Sequence, residues 1–157
     1  MRRSVFLAAA AVLLLAAGTA MALDTATLTV QAVVSPTCKF SSPAAATLSF
    51  PVLDPGNAVN VTASTTLSFW CTDGTAYTIT DDDGLYETGV DANRMRSTAL
   101  ATPEFIPYTI SYAPATGNGT GPTSPITLTV SGDILGTDYS ANSPDLYTDT
   151  VTLTINP

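Results

Sequence analysis

Short runs in which apolar and polar residues alternate dominate the chain, and this period of two limits the possible folds more than any other feature. The longest run covers residues 60–71, where Val61, Leu67 and Phe69 share one face. Successive side chains of a β-strand point to opposite sides, so alternation predicts half-buried strands. After residue 22, no window repeats apolar residues at helical spacing over three turns. The chain is therefore predicted to be all-β.

Gly, Pro, Asn and Asp separate these runs and set the predicted strand boundaries. The predicted strands cover residues 26–34, 46–50, 60–71, 77–80, 94–97, 108–112, 126–131 and 146–155, with long loops at 114–125 and 132–144. Seven or so short strands at this spacing favour an immunoglobulin-like β-sandwich. A closed barrel is the alternative architecture, because the number of strands does not decide closure.

The first 22 residues have the composition of a secretory signal peptide. Arg2 and Arg3 precede an apolar run over residues 5–17, and Ala20 and Ala22 place small side chains before a cleavage point. This run is too short for a transmembrane helix, and no second apolar span follows it. An uncleaved membrane anchor is the alternative. Removing 22 of the 157 residues leaves 135, which suits one domain with a core.

The mature chain would be strongly acidic. Lys39, Arg94 and Arg96 are its basic residues against 13 acids, a formal charge of −10. Without a basic patch to neutralise phosphates, the chain is not expected to bind nucleic acid or anionic membranes. The chain contains no histidine, which excludes Ser–His and Cys–His catalytic pairs. We therefore expect neither an enzyme nor a cofactor, although a carboxylate pair among the acids stays open as an alternative.

Two cysteines, Cys38 and Cys71, remain after the signal peptide. An even pair in an exported chain predicts one disulfide. That bond would close a loop of 33 residues and constrain the unfolded chain by about 4 kcal/mol. A metal site is the weaker alternative, because two thiols without a histidine make a poor one.

The acidic tip at residues 81–84 suggests calcium at first sight, since three aspartates precede Gly84. The spacing does not support it, because Ile79 and Val90 occupy two positions that an EF-hand loop gives to ligands. An acidic β-turn with glycine at its tight position is predicted instead, and no metal site.

The two ends of the mature chain carry complementary features. At the head, five apolar residues alternate with polar ones before the first cysteine: Ala26, Leu28, Val30, Ala32 and Val34. At the tail, Tyr147, Asp149, Val151, Leu153 and Ile155 share one strand face, and no further strand is expected after Ile155. An apolar sheet edge left open is a template for another strand. The simpler alternative is that residues 26–34 form an ordinary first strand within their own domain.

Several short motifs accompany these ends: Thr37-Cys38, residues 67–71 ending in Cys71, Tyr77-Thr78-Ile79 with Gly84, residues 93–96, residues 108–112, and the terminal residues 147–155. With these motifs the chain resembles the spore coat protein U domain, the fold of archaic chaperone–usher pilins, including those of Csu-type pili. The terminal pattern of Tyr, Asp, Thr and Val is the most specific of them. Two departures are an unusually acidic segment at residues 81–94 and an ending in Asn156-Pro157 rather than an aromatic residue.

The resemblance implies a sandwich that lacks its last strand and is completed by donor-strand complementation. The expected organisation is a signal peptide at residues 1–22, a donor segment at 23–37 and a pilin-like domain at 38–157. The expected donor residues are Ala26, Leu28, Val30, Ala32 and Val34, and the expected acceptor residues are Tyr147, Val151, Leu153 and Ile155. In a single chain, the donor segment is expected to be loosely placed or folded back.

The resemblance also implies partners and a location. The partners would be other pilin subunits, a periplasmic chaperone and an outer-membrane usher. The product would be a surface fibre, secreted through the periplasm, that supports adhesion and biofilm formation. The alternatives are a structural protein of a spore or cell coat, and a tip adhesin that binds a surface or glycan.

Overall fold

The computed structural model describes residues 23–157, and the predicted signal peptide at residues 1–22 lies outside the described residues. The described residues divide between Val33 and Val34 into two units. In the described part of the first unit, residues 23–33, every residue is exposed and none belongs to a strand or helix. The second unit contains all the elements described below.

The regular elements of the second unit are almost all strands. Its ten strands are β1 (Cys38–Phe40), β2 (Val61–Cys71), β3 (Ala76–Asp81), β4 (Arg94–Ser97), β5 (Phe105–Pro107), β6 (Thr109–Ala113), β7 (Thr116–Asn118), β8 (Ile126–Ile134), β9 (Tyr147–Thr148) and β10 (Leu153–Asn156). A 3₁₀ turn at Pro55–Asn57 and a four-residue helix, α1 (Gly136–Tyr139), complete the set. Across residues 23–157, none of the helices is long and apolar enough to cross a membrane.

The first layer is a four-stranded antiparallel sheet in the order β1-β2-β8-β6. Its centre is the long pairing of β2 with β8, which runs from Val61 opposite Ile134 to Phe69 opposite Ile126. Alternation along both strands places one set of side chains on the inner face, as the sequence predicted for residues 60–71. The paired strands β2 and β8 therefore form the platform against which the rest of the core packs.

The second layer consists of two three-stranded sheets, β10-β3-β7 and β5-β4-β9. The C-terminal run joins them, because β9 pairs with β4 and β10 pairs with β3. Between β9 and β10, residues 149–152 form no ladder. The last predicted strand is thus split into two short strands that belong to different sheets.

Buried side chains between the layers form two clusters. The first core cluster contains Phe69, Cys71, Tyr77, Ile79, Leu128 and Val130, and the second contains Ile106, Tyr108, Ile134 and Tyr139. Ile110 contacts both from β6. The Cys38–Cys71 disulfide closes the end of the first cluster and joins directly opposed residues of β1 and β2. The all-β class, the sandwich and the single disulfide are confirmed.

Several strand boundaries differ from the sequence prediction. Residues 46–50 form no strand, yet Leu48 and Phe50 are half-buried while Thr47 and Ser49 are exposed, so the predicted alternation is present without a ladder partner. The predicted loops contain β7, the end of β8 and α1. Strand β5 was not predicted, because three residues ending in proline carry too little pattern.

Gly119 gives a direct test of packing at the disulfide end. A Cβ there would lie 2.3 Å from the Thr72 carbonyl oxygen and 2.7 Å from Cys71 Cβ. We expect Gly119→Ala to lower the free energy of unfolding by about 1–3 kcal/mol, because backbone must shift to admit the methyl group. Urea denaturation measures the change.

Gly89→Ala is the matched control, since Gly89 is exposed and no atom lies within 4 Å of an added Cβ. Its unfolding free energy should stay within about 0.5 kcal/mol of the parent. Equal losses in the two variants would contradict the packing described at Gly119.

Candidate functional site

An open groove with a volume of about 1050 Å³ lies between the two layers of the second unit. Its floor is made by Thr65 and Leu67 of β2, Ile110 of β6 and Val130 of β8. Thr65, Leu67 and Ile110 face the interior of the sandwich and are only half-buried. At one end, the groove borders the second core cluster through Ile106 and Tyr139. The interior of the sandwich is therefore incompletely filled along this line.

The first wall of the groove is the segment of residues 44–53. Among the described residues, no backbone hydrogen bond joins this segment to a neighbour. Leu48 and Phe50 anchor it by packing against Gly132 of β8, where a Cβ would come within 2.7 Å and 2.9 Å of their side chains. Gly132 thus leaves room for the side chains of Leu48 and Phe50, which hold the first wall in place. The backbone groups of the wall have no backbone partner among the described residues.

The second wall consists of residues 142–153, and side-chain carboxylates fix its C-terminal half in place. Asp82 Oδ1 accepts hydrogen bonds from the backbone N–H groups of Thr152 at 2.8 Å and Gly84 at 3.1 Å. Asp149 Oδ1 accepts from the Leu85 N–H at 2.9 Å, and its Oδ2 accepts from the Tyr108 hydroxyl at 2.8 Å. These side-chain hydrogen bonds hold residues 149–152, which form no strand ladder.

The N-terminal half of the second wall is held in the same way. Glu104 accepts hydrogen bonds from the Ser143 N–H at 2.7 Å and from the Tyr147 hydroxyl at 2.9 Å. Asp145 Oδ2 accepts from the N–H groups of Ala99 at 2.8 Å and Leu100 at 3.2 Å. Four carboxylates therefore tie this wall to the loops outside the groove.

These contacts shift the protonation equilibria of the groups involved. Hydrogen bonds from the Thr152, Ser143 and Ala99 backbone lower the pKa values of Asp82, Glu104 and Asp145 respectively. Burial raises the pKa of Tyr108, and its hydrogen bond to Asp149 acts in the same direction. The carboxylates are thus ionised and the tyrosine is neutral over the physiological range of pH.

The predicted site residues fall at three different places. Tyr147, Val151 and Leu153 line the groove, whereas Ile155 lies beyond it and packs against the first core cluster. The predicted donor residues, Ala26, Leu28, Val30, Ala32 and Val34, are all exposed. Their roles as acceptor and donor stay predictions.

Sequence reasoning missed the residues that make the rest of the groove. Tyr108 and Asp149 form a hydrogen-bonded pair in its lining, and the first wall was expected to be an ordinary strand. A signal for the pair is present in the sequence, because Asp149 interrupts an otherwise apolar strand face. Within residues 23–157, no group of three or more His, Cys, Asp or Glu side chains is arranged to hold a metal ion.

Comparison with known proteins identifies the family. The model of the spore coat protein U domain matches residues 24–154, and the chain belongs to that family. No curated protein sequence matches the chain.

One similar solved structure is the CsuC–CsuE chaperone–tip adhesion subunit pre-assembly complex from the archaic chaperone–usher Csu pili of Acinetobacter baumannii. The TM-score is 0.50 and the sequence identity 19%. The match covers 78% of this chain and 40% of the other chain. At this identity the likeness concerns the fold.

The carboxylates that hydrogen-bond at the second wall predict that the domain loses stability in acid. Because hydrogen bonds hold the pKa values of Asp82, Glu104 and Asp145 below those of the unfolded chain, their stabilisation is complete above about pH 5. It disappears as the pH falls through the lowered values. We expect the midpoint of thermal unfolding to be steady between about pH 5 and 7 and to fall below about pH 4.

Glu104→Gln separates this effect from general acid denaturation. The variant should be less stable than the parent at pH 7, and the difference should shrink as the pH falls through the lowered pKa of the parent carboxylate. Asp73→Asn, at an exposed position away from the wall, is the control and should show no such convergence. A constant offset for Glu104→Gln across this pH range would contradict the assignment.

Proposed function

We propose that the mature chain is a structural subunit of a chaperone–usher surface fibre that assembles by donor-strand exchange. The observation that carries the proposal is the groove, whose two walls have open backbone groups and whose floor is apolar. Such a site accepts a strand rather than a compact ligand, because an inserted strand satisfies both walls and fills the space between them.

The head segment of another copy, residues 26–34, is the proposed occupant. Nine residues in extended form span about 30 Å. Leu28, Val30 and Val34 are 85%, 83% and 81% exposed in the single chain, so their apolar surface is free to be buried. Alternation with Thr27, Thr29 and Gln31 leaves polar side chains for the outer face. The segment thus has the pattern that the groove requires.

Insertion of the head segment sets the burial of apolar surface against the cost of ordering the chain. Burying Leu28, Val30 and Val34, with smaller contributions from Ala26 and Ala32, contributes on the order of 8 kcal/mol before ordering costs. Ordering the free segment costs about 1–2 kcal/mol per residue, and backbone hydrogen bonds to both walls offset part of that cost. The lifetime of the fibre then depends on slow unfolding as much as on equilibrium affinity.

The partners and location follow from this mechanism. A periplasmic chaperone would cover the groove before assembly, and an outer-membrane usher would catalyse the exchange for the next head segment. The similar Csu complex pairs a subunit with its chaperone, which supports a chaperone as partner here. The fibre would reach the cell surface through the periplasm and support adhesion and biofilm formation. The role is structural, with no catalysis.

Two other functions have some support. The name of the family supports a structural protein of a spore or cell coat. A tip adhesin is supported by the presence of a tip subunit in the Csu complex, although the match covers only 40% of the matched chain. An alternating head segment argues against a tip position, since a terminal subunit has no following groove to fill.

Variants of the head segment test the proposal. We expect Leu28→Asp and Val30→Asp to abolish polymers that resist detergent and dissociate on heating, because a buried charge without a partner is costly. Thr29→Asp is the matched control, since its side chain faces outward in the inserted strand, and its polymers should persist. Gel electrophoresis with and without heating measures the result. Polymers of normal length from Leu28→Asp would contradict the donor role.

A peptide experiment tests the groove itself. The mature chain with both Leu28→Asp and Val30→Asp serves as the receiver, because its own head segment can no longer be inserted. A peptide of residues 24–36 should stabilise this receiver by about 2.7 kcal/mol at a concentration 100 times its Kd. The same peptide carrying Leu28→Asp should have no effect. Equal thermal midpoints with the two peptides would contradict the acceptor role of the groove.

A further inference from the structure

A hydrogen-bonded polar pair interrupts the apolar residues that the second wall turns toward the groove between Tyr147 and Leu153. The Tyr108 hydroxyl donates to Asp149 Oδ2 at 2.8 Å, and both side chains line the groove. Tyr108 is buried and Asp149 is half-buried on the inward face of the second wall, between Tyr147 and Val151. A strand that is inserted along the second wall therefore lies against this polar pair.

The polar pair cannot move away from an incoming side chain. The Leu85 N–H donates to Asp149 Oδ1 at 2.9 Å from the loop behind it. Gly84 in the same loop leaves no free space, since a Cβ there would lie 2.2 Å from Asp149 Oδ2. On the other side, the Tyr108 N–H donates to the Asn93 carbonyl at 3.1 Å. The position opposite Asp149 is therefore polar and has little room to yield.

The head segment contains side chains of two sizes. Three of its five inward positions are large, namely Leu28, Val30 and Val34, and two are alanines, Ala26 and Ala32. A methyl group covers a hydrogen-bonded pair without displacing it. A branched side chain would press against groups that cannot yield, which costs free energy by overpacking.

We propose that the polar pair sets the register of assembly, so that Ala32 of one copy lies opposite Asp149 of the next, with the inserted strand antiparallel to the second wall. This inference rests on the proposed function and adds the alignment of the two segments. Directly opposed residues of an antiparallel pair lie on the same face. The resulting pairs are Val34 with Tyr147, Ala32 with Asp149, Val30 with Val151, Leu28 with Leu153, and Ala26 with Ile155.

Other alignments leave defects. Moving the antiparallel strand by two residues places Val30 or Val34 against Asp149. A parallel strand with Ala32 opposite Asp149 places Leu28 against the Asp145 carboxylate, which already accepts the Ala99 and Leu100 N–H groups.

Two alignments place Ala26 opposite Asp149. The antiparallel one brings Val30 against the Asp145 carboxylate, which already accepts the Ala99 and Leu100 N–H groups. The parallel one is the remaining rival. It carries Val34 out to Pro157, beyond the groove, and leaves Tyr147 uncovered. The proposed alignment carries only the small Ala26 beyond the groove, to Ile155, and covers Tyr147 with Val34.

Two alanine variants in the head segment test the register. We expect Ala32→Leu to reduce detergent-resistant polymers at least tenfold and Ala26→Leu to change them less than twofold. Both positions are exposed in the single chain, so neither variant should alter the thermal midpoint of the monomer. The reverse order of effects would favour the parallel rival and overturn the proposal, as would equal effects of the two variants.

Cross-linking measures the alignment directly. Gln31 and Thr150 are predicted to be opposed on the outer face, and both are exposed in the single chain. Co-expressed copies that carry Gln31→Cys and Thr150→Cys separately should form an intersubunit disulfide. Pairing Gln31→Cys with Thr148→Cys or Thr152→Cys should give at least tenfold less. Preferential cross-linking at Thr148 or Thr152, or none at all three in intact polymers, would overturn the register.

The two sets of variants distinguish an error in the register from an error in the proposed function. If Leu28→Asp chains polymerise normally, the head segment is not the donor and the proposed function is wrong. If Leu28→Asp blocks polymerisation while Ala32→Leu does not, the donor role holds and the register is wrong.

Discussion

Backbone amides and carbonyls need hydrogen-bond partners, and this need governs the groove more than any single side chain does. The long β2–β8 pairing satisfies the centre of the first layer. Beside it, residues 44–53 are held by side chains such as Leu48 and Phe50, and residues 149–152 form no ladder. The two walls are held apart, with an apolar floor between them. Both the proposed polymerisation and its register depend on this separation.

The acidic composition has a structural use in this fold. Asp82, Glu104, Asp145 and Asp149 accept hydrogen bonds from backbone N–H groups or tyrosine hydroxyls beside the second wall. A carboxylate accepts several donors at once, so it can hold irregular backbone where a ladder cannot. These bonds satisfy backbone groups beside the second wall, away from the groove. In the proposed function, the side toward the groove pairs with an inserted strand.

The sequence predicted the sandwich, the disulfide and the inward positions of Leu48 and Phe50. The alternation of apolar with polar residues and the number of cysteines indicate these features directly. The sequence did not reveal that residues 46–50 lack a partner strand, since a ladder depends on neighbours distant in the chain. The split of the last strand was also hidden, because its two halves pair with different sheets. Asp149 was visible as a polar residue on an apolar face, but its bond to Tyr108 required the fold.

The Cys38–Cys71 bond has a mechanical consequence for a chain that is pulled by its head. It joins the first residue of β1 to the last residue of β2, at the point where the head segment leaves the domain. Tension applied at Thr37 would cross this covalent link and continue from Cys71 toward the C-terminal half. The intervening loop, which includes residues 44–53, would be spared the load. In a fibre assembled as proposed, the first wall would therefore stay in place beside the inserted strand while the chain is under tension.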